Sequence, residues 1–331
     1  MKKLFDNHGR EINYLRLAVT DRCNLRCFYC MPEEGIKYVP QSDLLSYEEM
    51  LRICSLLAKM GIKKVRITGG EPFVRRNLEY FIRELNKIPG IEQIHLTTNG
   101  TVTPHLIPHF REMGIKSVNL SLDTLDRDRF FQITRRDGFP KVMQSLEALI
   151  DSGIKTKINA VVMDGKNTED ILPMVEMTRY KPISVRFIEE MPFNGEGVKY
   201  PQLNWNYKQI IEHIKSAYPT LEKLPDPPFS TSYNYTVPGF AGSVGVIAAY
   251  TRTFCGSCNR IRLTPKGVLK TCLYDDGVFN LKTFIREGAS DKQLEDLFLN
   301  ALGNRAKDGY EAEKRRNFGL PITESMSTIG G

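Results

Sequence analysis

Apolar positions in the first part of the chain alternate between two spacings. Between residues 14 and 191, short β-rich runs are separated by longer stretches whose apolar residues recur at helical spacing. The strand-like runs are YLRLAVT, KVRITGG, EQIHLTTNG, SVNLSLD, KTKINAVVM and SVRFIEEM, and the helix-like stretches include SYEEMLRICSLLAKMG and FPKVMQSLEALIDSG. Alternating strands and helices predict a parallel sheet. Six units are visible where a closed barrel needs eight, so an incomplete (β/α)6 barrel and an open sheet both fit.

The predicted strands also carry a polar face. A parallel strand covered on both sides is apolar nearly throughout, but here one alternating face carries polar or cationic residues. These positions are Arg16, Thr20, Arg66, Thr68, His95, Thr97, Asn119, Ser121, Lys155, Lys157, Asn159 and Arg186. Single members can snorkel or pair with Glu71, Asp123 or Glu189. Because six strands share the pattern, we expect a polar lumen that accepts anions.

Near residue 192 the pattern changes, which predicts a second and smaller region. It contains a helical stretch, NYKQIIEHIKSAY, a Pro-rich linker, LPDPPFS, and β-rich stretches around YNYTVPG and VGVIAAYT. A hairpin-like run, NRIRLTPKGVLKTCLY, a long helical segment, DKQLEDLFLNALGNRA, and a tail ending STIGG follow. We therefore predict a partial barrel over residues 1–195 and a C-terminal extension over residues 196–331.

Composition limits the classes of partner. Hydrophobic residues make up 41% and charged residues 26% of 331 positions, which is ordinary for a globular protein. No run is long and apolar enough for a membrane span, and the first residues lack the apolar core of a signal peptide, so we expect a cytoplasmic protein without a membrane partner. A net charge of +7 suits an anionic partner. No nucleic-acid-binding pattern accompanies it, which favours a nucleotide over a nucleic acid.

Six of the seven cysteines fall into two groups of three, and the seventh, Cys54, is predicted to be a small buried residue of a helix. Cys23, Cys27 and Cys30 form C-x3-C-x2-C directly after the first strand. Three thiolates at this spacing hold a cubane cluster whose fourth iron has no protein ligand. The alternative is a zinc knuckle that takes a fourth ligand from elsewhere.

The second group, Cys255, Cys258 and Cys272, has the spacing C-x2-C-x13-C. A zinc ribbon remains an alternative, but neither cysteine nor histidine follows Cys272, so a second open cluster fits better. Arg260 and Arg262 lie just after Cys258 and project from the same side of a predicted strand. They are either surface arginines or a clamp for a phosphate or a purine edge.

Around the first cysteine group the sequence resembles the radical S-adenosylmethionine (SAM) enzymes. The resemblance rests on the cysteine spacing, the aromatic Tyr29, and the segments TGGEP, TTNG, SLD and FIEEMP. It implies that the open iron binds SAM and that SAM is contacted by Tyr29, Gly70, Ser121 and Met191. It also implies a substrate contact at Thr97. With this resemblance we take the fold class to be α/β, an incomplete (β/α)6 TIM-type barrel with a C-terminal extension that carries a second iron–sulfur cluster.

Within that superfamily, the two cysteine groups, RITGGEP, CNRIRLT and the terminal Gly330-Gly331 are similar to the GTP 3′,8-cyclases of molybdenum cofactor biosynthesis. The resemblance implies two 4Fe-4S clusters, SAM, and a radical cyclisation of GTP. The substrate contacts it implies are Arg16, Arg66, Thr97, Lys157, Arg260, Ile261 and Arg262. The catalytic positions it implies are Arg260, Arg262, Gly330 and Gly331.

Several partners are also expected. These are an electron donor, product hand-off to cyclic pyranopterin monophosphate synthase, and a homodimer. Two rival classes remain open at this point: a radical enzyme with an auxiliary cluster that acts on a peptide, and a non-enzymatic module that binds two zinc ions. The cationic lumen favours a nucleotide over a peptide.

Overall fold

The computed structural model describes residues 3–195, 203–316 and 324–330. In the first region, six strands and five helices follow one another, with α-helices between all neighbouring strands except β3 and β4. They are β1 (Tyr14–Ala18), α1 (Tyr47–Met60), β2 (Lys64–Thr68), α2 (Leu78–Asn86), β3 (Gln93–Thr98), β4 (Ile115–Ser121), α3 (Arg127–Thr134), α4 (Phe139–Asp151), β5 (Lys155–Val162), α5 (Ile171–Met177) and β6 (Ser184–Glu189). The six strands confirm the six predicted runs.

The second region mixes short strands with helices. Its elements are α6 (Tyr207–Ala217), β7 (Glu222–Lys223), β8 (Tyr233–Thr236), β9 (Ser243–Ile247), β10 (Arg260–Leu263), β11 (Val268–Lys270), β12 (Phe279–Asn280), α7 (Leu281–Arg286), α8 (Asp291–Gly303), α9 (Gly309–Arg315) and α10 (Met326–Ile329). Short 3-10 helices lie at Gln41–Asp43, Pro72–Val74, Ile107–His109, Thr168–Asp170 and Cys255–Ser257. Within the described ranges, no helix is long and apolar enough to cross a membrane.

All twelve described strands belong to one sheet, in the order β12-β11-β10-β1-β2-β3-β4-β5-β6-β9-β8-β7. Strands β1 to β6 pair in parallel with their sequence neighbours, as alternation with helices predicts. Among the described strands, β12 and β7 are the two ends of the order, so the sheet is an open, incomplete barrel.

The C-terminal region extends this sheet at both edges. Strand β10 pairs in parallel with β1, and β9 pairs in parallel with β6. The predicted extension is therefore built into the barrel wall. The predicted boundary between residues 195 and 196 lies at the edge of a segment outside the described residues, and it stays a prediction.

Apolar side chains of the helices cover the outer face of the sheet, as the pattern of the sequence requires. Helix α1 starts with a capping box in which Ser46 and Glu49 bond each other's backbone N–H groups. It packs Ile53, Cys54 and Leu57 into the main core. The prediction that Cys54 is a small buried residue is confirmed. This packing turns the polar alternate positions of the strands inward.

Candidate active site

The inner face of the sheet encloses a cavity of about 470 Å³. All six cysteines of the two groups line this one cavity. So do most residues that the sequence assigned to ligands, namely Arg16, Tyr29, Arg66, Gly70, Thr97, Ser121, Lys157, Met191, Arg260 and Arg262. The structure therefore brings together residues that lie up to about 250 positions apart in the chain.

The first three cysteines lie in the loop that follows β1. The Cys27 carbonyl accepts the N–H groups of Cys30 and Met31 at 2.9 and 3.0 Å, which curls the loop into a turn. Burial raises the pKa of Cys23 to about 12 and that of Cys30 to about 11, and it raises the pKa of Cys27 as well. Burial therefore favours the neutral thiols, and the positive charge of a bound metal would favour the thiolates.

The donors around this loop fit an iron–sulfur cluster. The Cys23 sulfur accepts the Leu25 N–H at 3.4 Å and the Asn99 side-chain amide at 3.8 Å. Such weak donors to a ligating sulfur are typical of iron–sulfur sites, where they orient the ligand and tune it. In the described parts of the chain, no three His, Cys, Asp or Glu side chains are arranged around a single metal ion. Soft thiolate donors suit the multi-iron cluster that the spacing predicts.

The glycine loop after β2 lies directly against the cysteine loop. Gly70 donates its N–H to the Thr20 carbonyl at 2.9 Å, and a Cβ at Gly70 would lie 2.3 Å from the Arg22 carbonyl oxygen. Only glycine fits this approach. Glu71 is fully buried and accepts bonds from Thr98 and Asn99, and burial raises its pKa to about 7. The two loops therefore form one rigid wall of the cavity.

Tyr29 belongs to the cysteine loop, and its side chain contacts the segment that follows β4. Its hydroxyl donates to Asp123 at 2.8 Å, and Asp123 also accepts the Val161 N–H at 2.8 Å. Burial raises the pKa of Asp123 to about 6. Ser121 lies at the end of β4, two residues before Asp123. Tyr29, Gly70, Ser121 and Met191 all line the cavity, and the last three lie at or just after the carboxyl ends of β2, β4 and β6.

Cations line the strand face of the cavity. The register places Arg16 beside Arg66 on one side and beside Arg262 on the other, which makes a row of three guanidinium groups. The cationic side chains in the lining are Arg16, Lys64, Arg66, Lys157, Arg186, Arg252, Arg260 and Arg262. The carboxylates in the lining are Asp123 and Glu189. The cavity therefore has the polar, cationic lining that the strand pattern predicts, and acceptance of an anion stays a prediction.

This excess of positive charge shifts the pKa values of neighbouring groups. Burial and the charges of nearby Arg66, Lys64 and Lys157 lower the pKa of His95 to about 2, so its ring is neutral. Burial alone would raise the pKa of the Tyr14 phenol, but Arg66 and Arg16 lower it to about 8. Burying several like charges is unfavourable without a counterion. The cavity is therefore electrostatically suited to a polyanion.

Several buried polar atoms on this face have no hydrogen-bond partner among the described residues. They are Thr97 Oγ1, Asn119 Oδ1, Asn159 Oδ1 and Arg186 Nε. Buried polar atoms in native proteins are almost always paired. Unpaired donors and acceptors that line a cationic cavity indicate a ligand that is itself polar.

The second three cysteines lie at one end of the β10–β11 hairpin. The register pairs Arg262 with Lys270, so Cys258 before β10 and Cys272 after β11 approach each other. Burial raises the pKa of Cys272 to about 11. At Cys258, the charges of Arg260 and Arg305 overcome the effect of burial and lower the pKa to about 6. Three thiols at one loop cluster, one of them readily ionised, fit a second iron–sulfur cluster.

Arg260 and Arg262 both point into the cavity, as their spacing predicts. Arg260 lies beside the second cysteine group, with its Nη2 3.6 Å from the Cys258 sulfur. Ile261 points the other way and is buried in the main hydrophobic core. Its side chain is therefore not part of the cavity lining, which leaves only its backbone for the predicted substrate contact. Strand alternation forces this outcome, because neighbours on a strand face opposite sides.

The C-terminal tail enters the same cavity. Arg262 Nη1 donates to the Gly330 carbonyl at 2.6 Å, and Gly330 is buried at φ +75°. A Cβ at Gly330 would lie 2.4 Å from Thr68 Oγ1. The described end of the tail therefore lies beside Arg262, whereas Gly331 lies outside the described residues.

Two contacts hold the beginning of the described tail. Lys270, fully buried on β11, pairs with Glu324 at 2.7 Å. Ser325 Oγ donates to the Cys30 carbonyl at 2.7 Å. The tail therefore touches the loop of the first cysteine group and the hairpin of the second. No signal in the sequence pointed to Lys270.

The sequence also missed part of the cavity wall. Residues 227–231 line the cavity, although 227–230 belong to the predicted linker, and so do Lys64 and Arg252. Lys64 could have been found, because it alternates with Arg66 on β2. Arg252 lies between the rings of Tyr274 and Tyr310, and no pattern in the sequence predicts this arrangement.

Comparisons with known proteins agree with this geometry. The radical SAM superfamily matches residues 17–178, and the family described as Molybdenum Cofactor Synthesis C matches residues 183–311. A Clostridium perfringens protein named GTP 3′,8-cyclase is 40% identical over 98% of this chain and 99% of its own length. An Arabidopsis thaliana protein named GTP 3′,8-cyclase, mitochondrial, is 40% identical over 93% of this chain and 78% of its own length.

Longer relatives match as well. The Drosophila melanogaster molybdenum cofactor biosynthesis protein 1 is 42% identical over 94% of this chain. The chain spans about half the length of this relative, 55%, and of its mouse counterpart, 48%. Among solved structures, Streptococcus suis SuiB superposes with a TM-score of 0.59 at 15% identity, covering 90% of this chain and 67% of that one. This last likeness concerns the fold.

Proposed function

Because the chain belongs to the GTP 3′,8-cyclase family of the radical SAM superfamily, we propose that it converts GTP to 3′,8-cyclo-7,8-dihydro-GTP, an early step of molybdenum cofactor biosynthesis. The arrangement of the cavity lining is the main support for this proposal. A single cavity is lined at one end by Cys23, Cys27 and Cys30, at the other by the second cysteine group, and between them by cations. Such a cavity suits a polyanionic nucleotide held between two metal sites.

The first cysteine group would hold a 4Fe-4S cluster and the second group another. When bound, the first cluster would supply the electron for reductive cleavage of SAM, and the second would supply a Lewis-acidic site near the guanine. The protein contributes position and charge. Tyr29, Gly70, Ser121 and Met191 would hold SAM beside the first site.

The strand face would hold the nucleotide. Arg16, Arg66 and Lys157 would bind the triphosphate, and Thr97 offers a buried hydroxyl without a partner among the described residues. Arg260 and Arg262 would orient the base beside the second cysteine group, with Ile261 contributing only its backbone. The Gly330 carbonyl, held by Arg262, would lie next to the reacting ribose. Exclusion of water when both ligands are bound would protect a radical from side reactions.

Several partners and the compartment belong to the same proposal. We propose an electron donor, product hand-off to cyclic pyranopterin monophosphate synthase, and a homodimer. All seven cysteines are free thiols, which supports a reducing compartment such as the cytoplasm.

Anaerobic turnover tests the proposal. The full chain, reconstituted with iron and sulfide, is incubated with GTP, SAM and dithionite, and the products are identified by mass spectrometry. Cyclised nucleotide and 5′-deoxyadenosine are expected from the intact chain. Replacing Cys23, Cys27 and Cys30 with Ala should remove both products. Replacing Cys255, Cys258 and Cys272 with Ala should leave some 5′-deoxyadenosine but no cyclised nucleotide.

Two other results would overturn it. Zinc without sulfide in anaerobically purified protein would indicate a zinc module. Tight binding of peptides without binding of GTP, measured by calorimetry, would indicate a peptide-modifying enzyme.

A further inference from the structure

A buried arginine that belongs to no motif lies against the second cysteine group. Arg305 follows α8, and its side chain is 2% exposed. An arginine side chain carries five N–H donors, and all five are used here. Their acceptors are Thr271 O at 3.0 Å, Asp6 Oδ2 at 3.0 Å, Cys258 O at 3.0 Å, Cys258 Sγ at 3.2 Å and Arg260 O at 2.9 Å. A side chain this fully bonded has one orientation.

These bonds fix the residues that hold the second site. Nη2 of Arg305 donates to the Cys258 sulfur itself. The bonds to the carbonyls of Cys258 and Arg260 hold the backbone on both sides of the strand start, and the bond to the Thr271 carbonyl holds the residue before Cys272. One guanidinium thus links two of the three cysteine segments.

The third cysteine segment is linked through the N-terminal part of the chain. Asp6, whose side chain is fully buried, pairs with Arg305 at 3.0 Å and with Arg10 at 2.7 Å. Arg10 in turn donates to the Cys255 carbonyl at 3.1 Å. A buried guanidinium requires a partner of opposite charge, and Asp6 supplies it. Asp6, Arg10 and Arg305 therefore form one frame around all three cysteines.

We propose that Arg305 is a positioning residue of the second iron–sulfur site, and that its bond to the Cys258 sulfur sets the reduction potential of that site. The inference rests on the proposed function, because it requires a cluster at these cysteines. A cluster gains negative charge on reduction. Donation to a ligating sulfur and a nearby positive charge stabilise that charge, and both raise the reduction potential.

The test isolates the second site in the full chain. Cys23, Cys27 and Cys30 are replaced by Ala, and the remaining cluster is titrated with redox mediators while its EPR signal is recorded. In this background Arg305→Gln should lower the equilibrium constant for one-electron reduction about tenfold, which is a shift of about 59 mV to more negative potential. Asp6→Asn removes a negative charge from the same frame, so it should shift the potential to more positive values.

The matched control is Arg10→Gln. Arg10 shares Asp6 with Arg305 but bonds only backbone carbonyls around the cysteines. Its loss should move the potential much less than the loss of Arg305. Arg305→Lys keeps the charge but has three donors, so its potential should lie between those of the Gln variant and the parent.

The possible results separate the inference from the proposed function. Equal potentials in the parent, Arg305→Gln and Arg305→Lys, with iron and sulfide retained, would overturn the inference alone. If Arg305→Gln loses its iron, the potentials of Arg305→Lys and Asp6→Asn are compared with that of the parent instead. A more negative potential for Arg305→Lys and a more positive one for Asp6→Asn support the inference, and the opposite directions would overturn it. A parent protein that binds no iron or sulfide at the second group would overturn the proposed function, and the inference with it.

Discussion

Lys157 shows how strongly the cavity acts on a single residue. Burial lowers its pKa, and so do the charges of Arg186, Arg66, Lys155 and Lys64, to a value of about 7. In the empty cavity the amine is therefore charged below about pH 7 and neutral above it. A bound triphosphate favours the charged form, so binding above pH 7 must take up a proton.

We expect the affinity for GTP to fall as the pH rises from 7 to 9. When binding takes up one proton, the dissociation constant of GTP rises with pH above the pKa of Lys157. The limiting slope is about tenfold per pH unit. Calorimetry in buffers of different ionisation enthalpy measures both the affinity and the proton uptake. Lys157→Arg is the control, because a guanidinium stays charged throughout this range. The same pH slope in both proteins would contradict the assignment, since titration of the nucleotide is common to both.

Both arginines of β10 are expected to bind GTP. Arg260→Ala and Arg262→Ala should each weaken GTP binding by about 1.5–3 kcal/mol, the range for a hydrogen bond to a charged group. This corresponds to an increase of about 10- to 150-fold in the dissociation constant. Arg83→Ala on the outer face is the control, because it removes an equal charge from an exposed site. Unchanged affinity in the β10 variants, measured by calorimetry, would place both residues outside the nucleotide site.

At the scale of elements, the contact between two loops decides whether the first site forms. A Cβ at Gly70 would lie 2.3 Å from a backbone oxygen of Arg22, so Gly70→Ala must push the cysteine loop away. We expect less iron per chain and weaker SAM binding, with unchanged secondary structure by circular dichroism. Gly303→Ala is the control, because a Cβ there meets no atom within 4 Å. Full iron loading in the Gly70 variant would show that the loop tolerates the shift.

The sequence predicts which side of a strand each residue occupies, but it does not predict the order of the strands in the sheet. Period-two alternation placed Arg16, Arg66 and Lys157 on the inner face, because alternation states which side of a strand a residue occupies. It does not state which strand lies next to which, so the pairing of β10 with β1 was not predicted. Arg305 was not predicted either, because an arginine near a helix end is common and its five acceptors come from distant segments.

At the scale of the whole molecule, the tail joins the two ends of the cavity. Gly330 has positive φ and lies against Thr68, so Gly330→Ala should displace the tail from Arg262. We expect folding, iron content and GTP affinity to be kept while the yield of cyclised product falls sharply. Deletion of Gly330 and Gly331, or added bulky residues after them, should have the same effect. Product assays under anaerobic turnover measure it.

Thr328→Ala is the control for the variants at the end of the tail. It changes the same segment at a side chain whose hydroxyl donates to the Ser325 carbonyl within the tail. Its product yield should stay near that of the parent. Equal yields in the Gly330 variants and the parent would mean that the tail end takes no part in the reaction.

The pairing of β1 with β10 has a consequence for biosynthesis. Leu17 and Leu263 are partners in the register, so the ribosome must add almost 250 residues between them. At about 5–20 residues per second, one edge of β1 waits about 12 to 50 s for its partner. An open strand edge is a template for pairing with other chains. Nascent chains stalled before β10 should therefore aggregate in a chaperone-free translation extract, as light scattering would show, while completed chains stay dispersed.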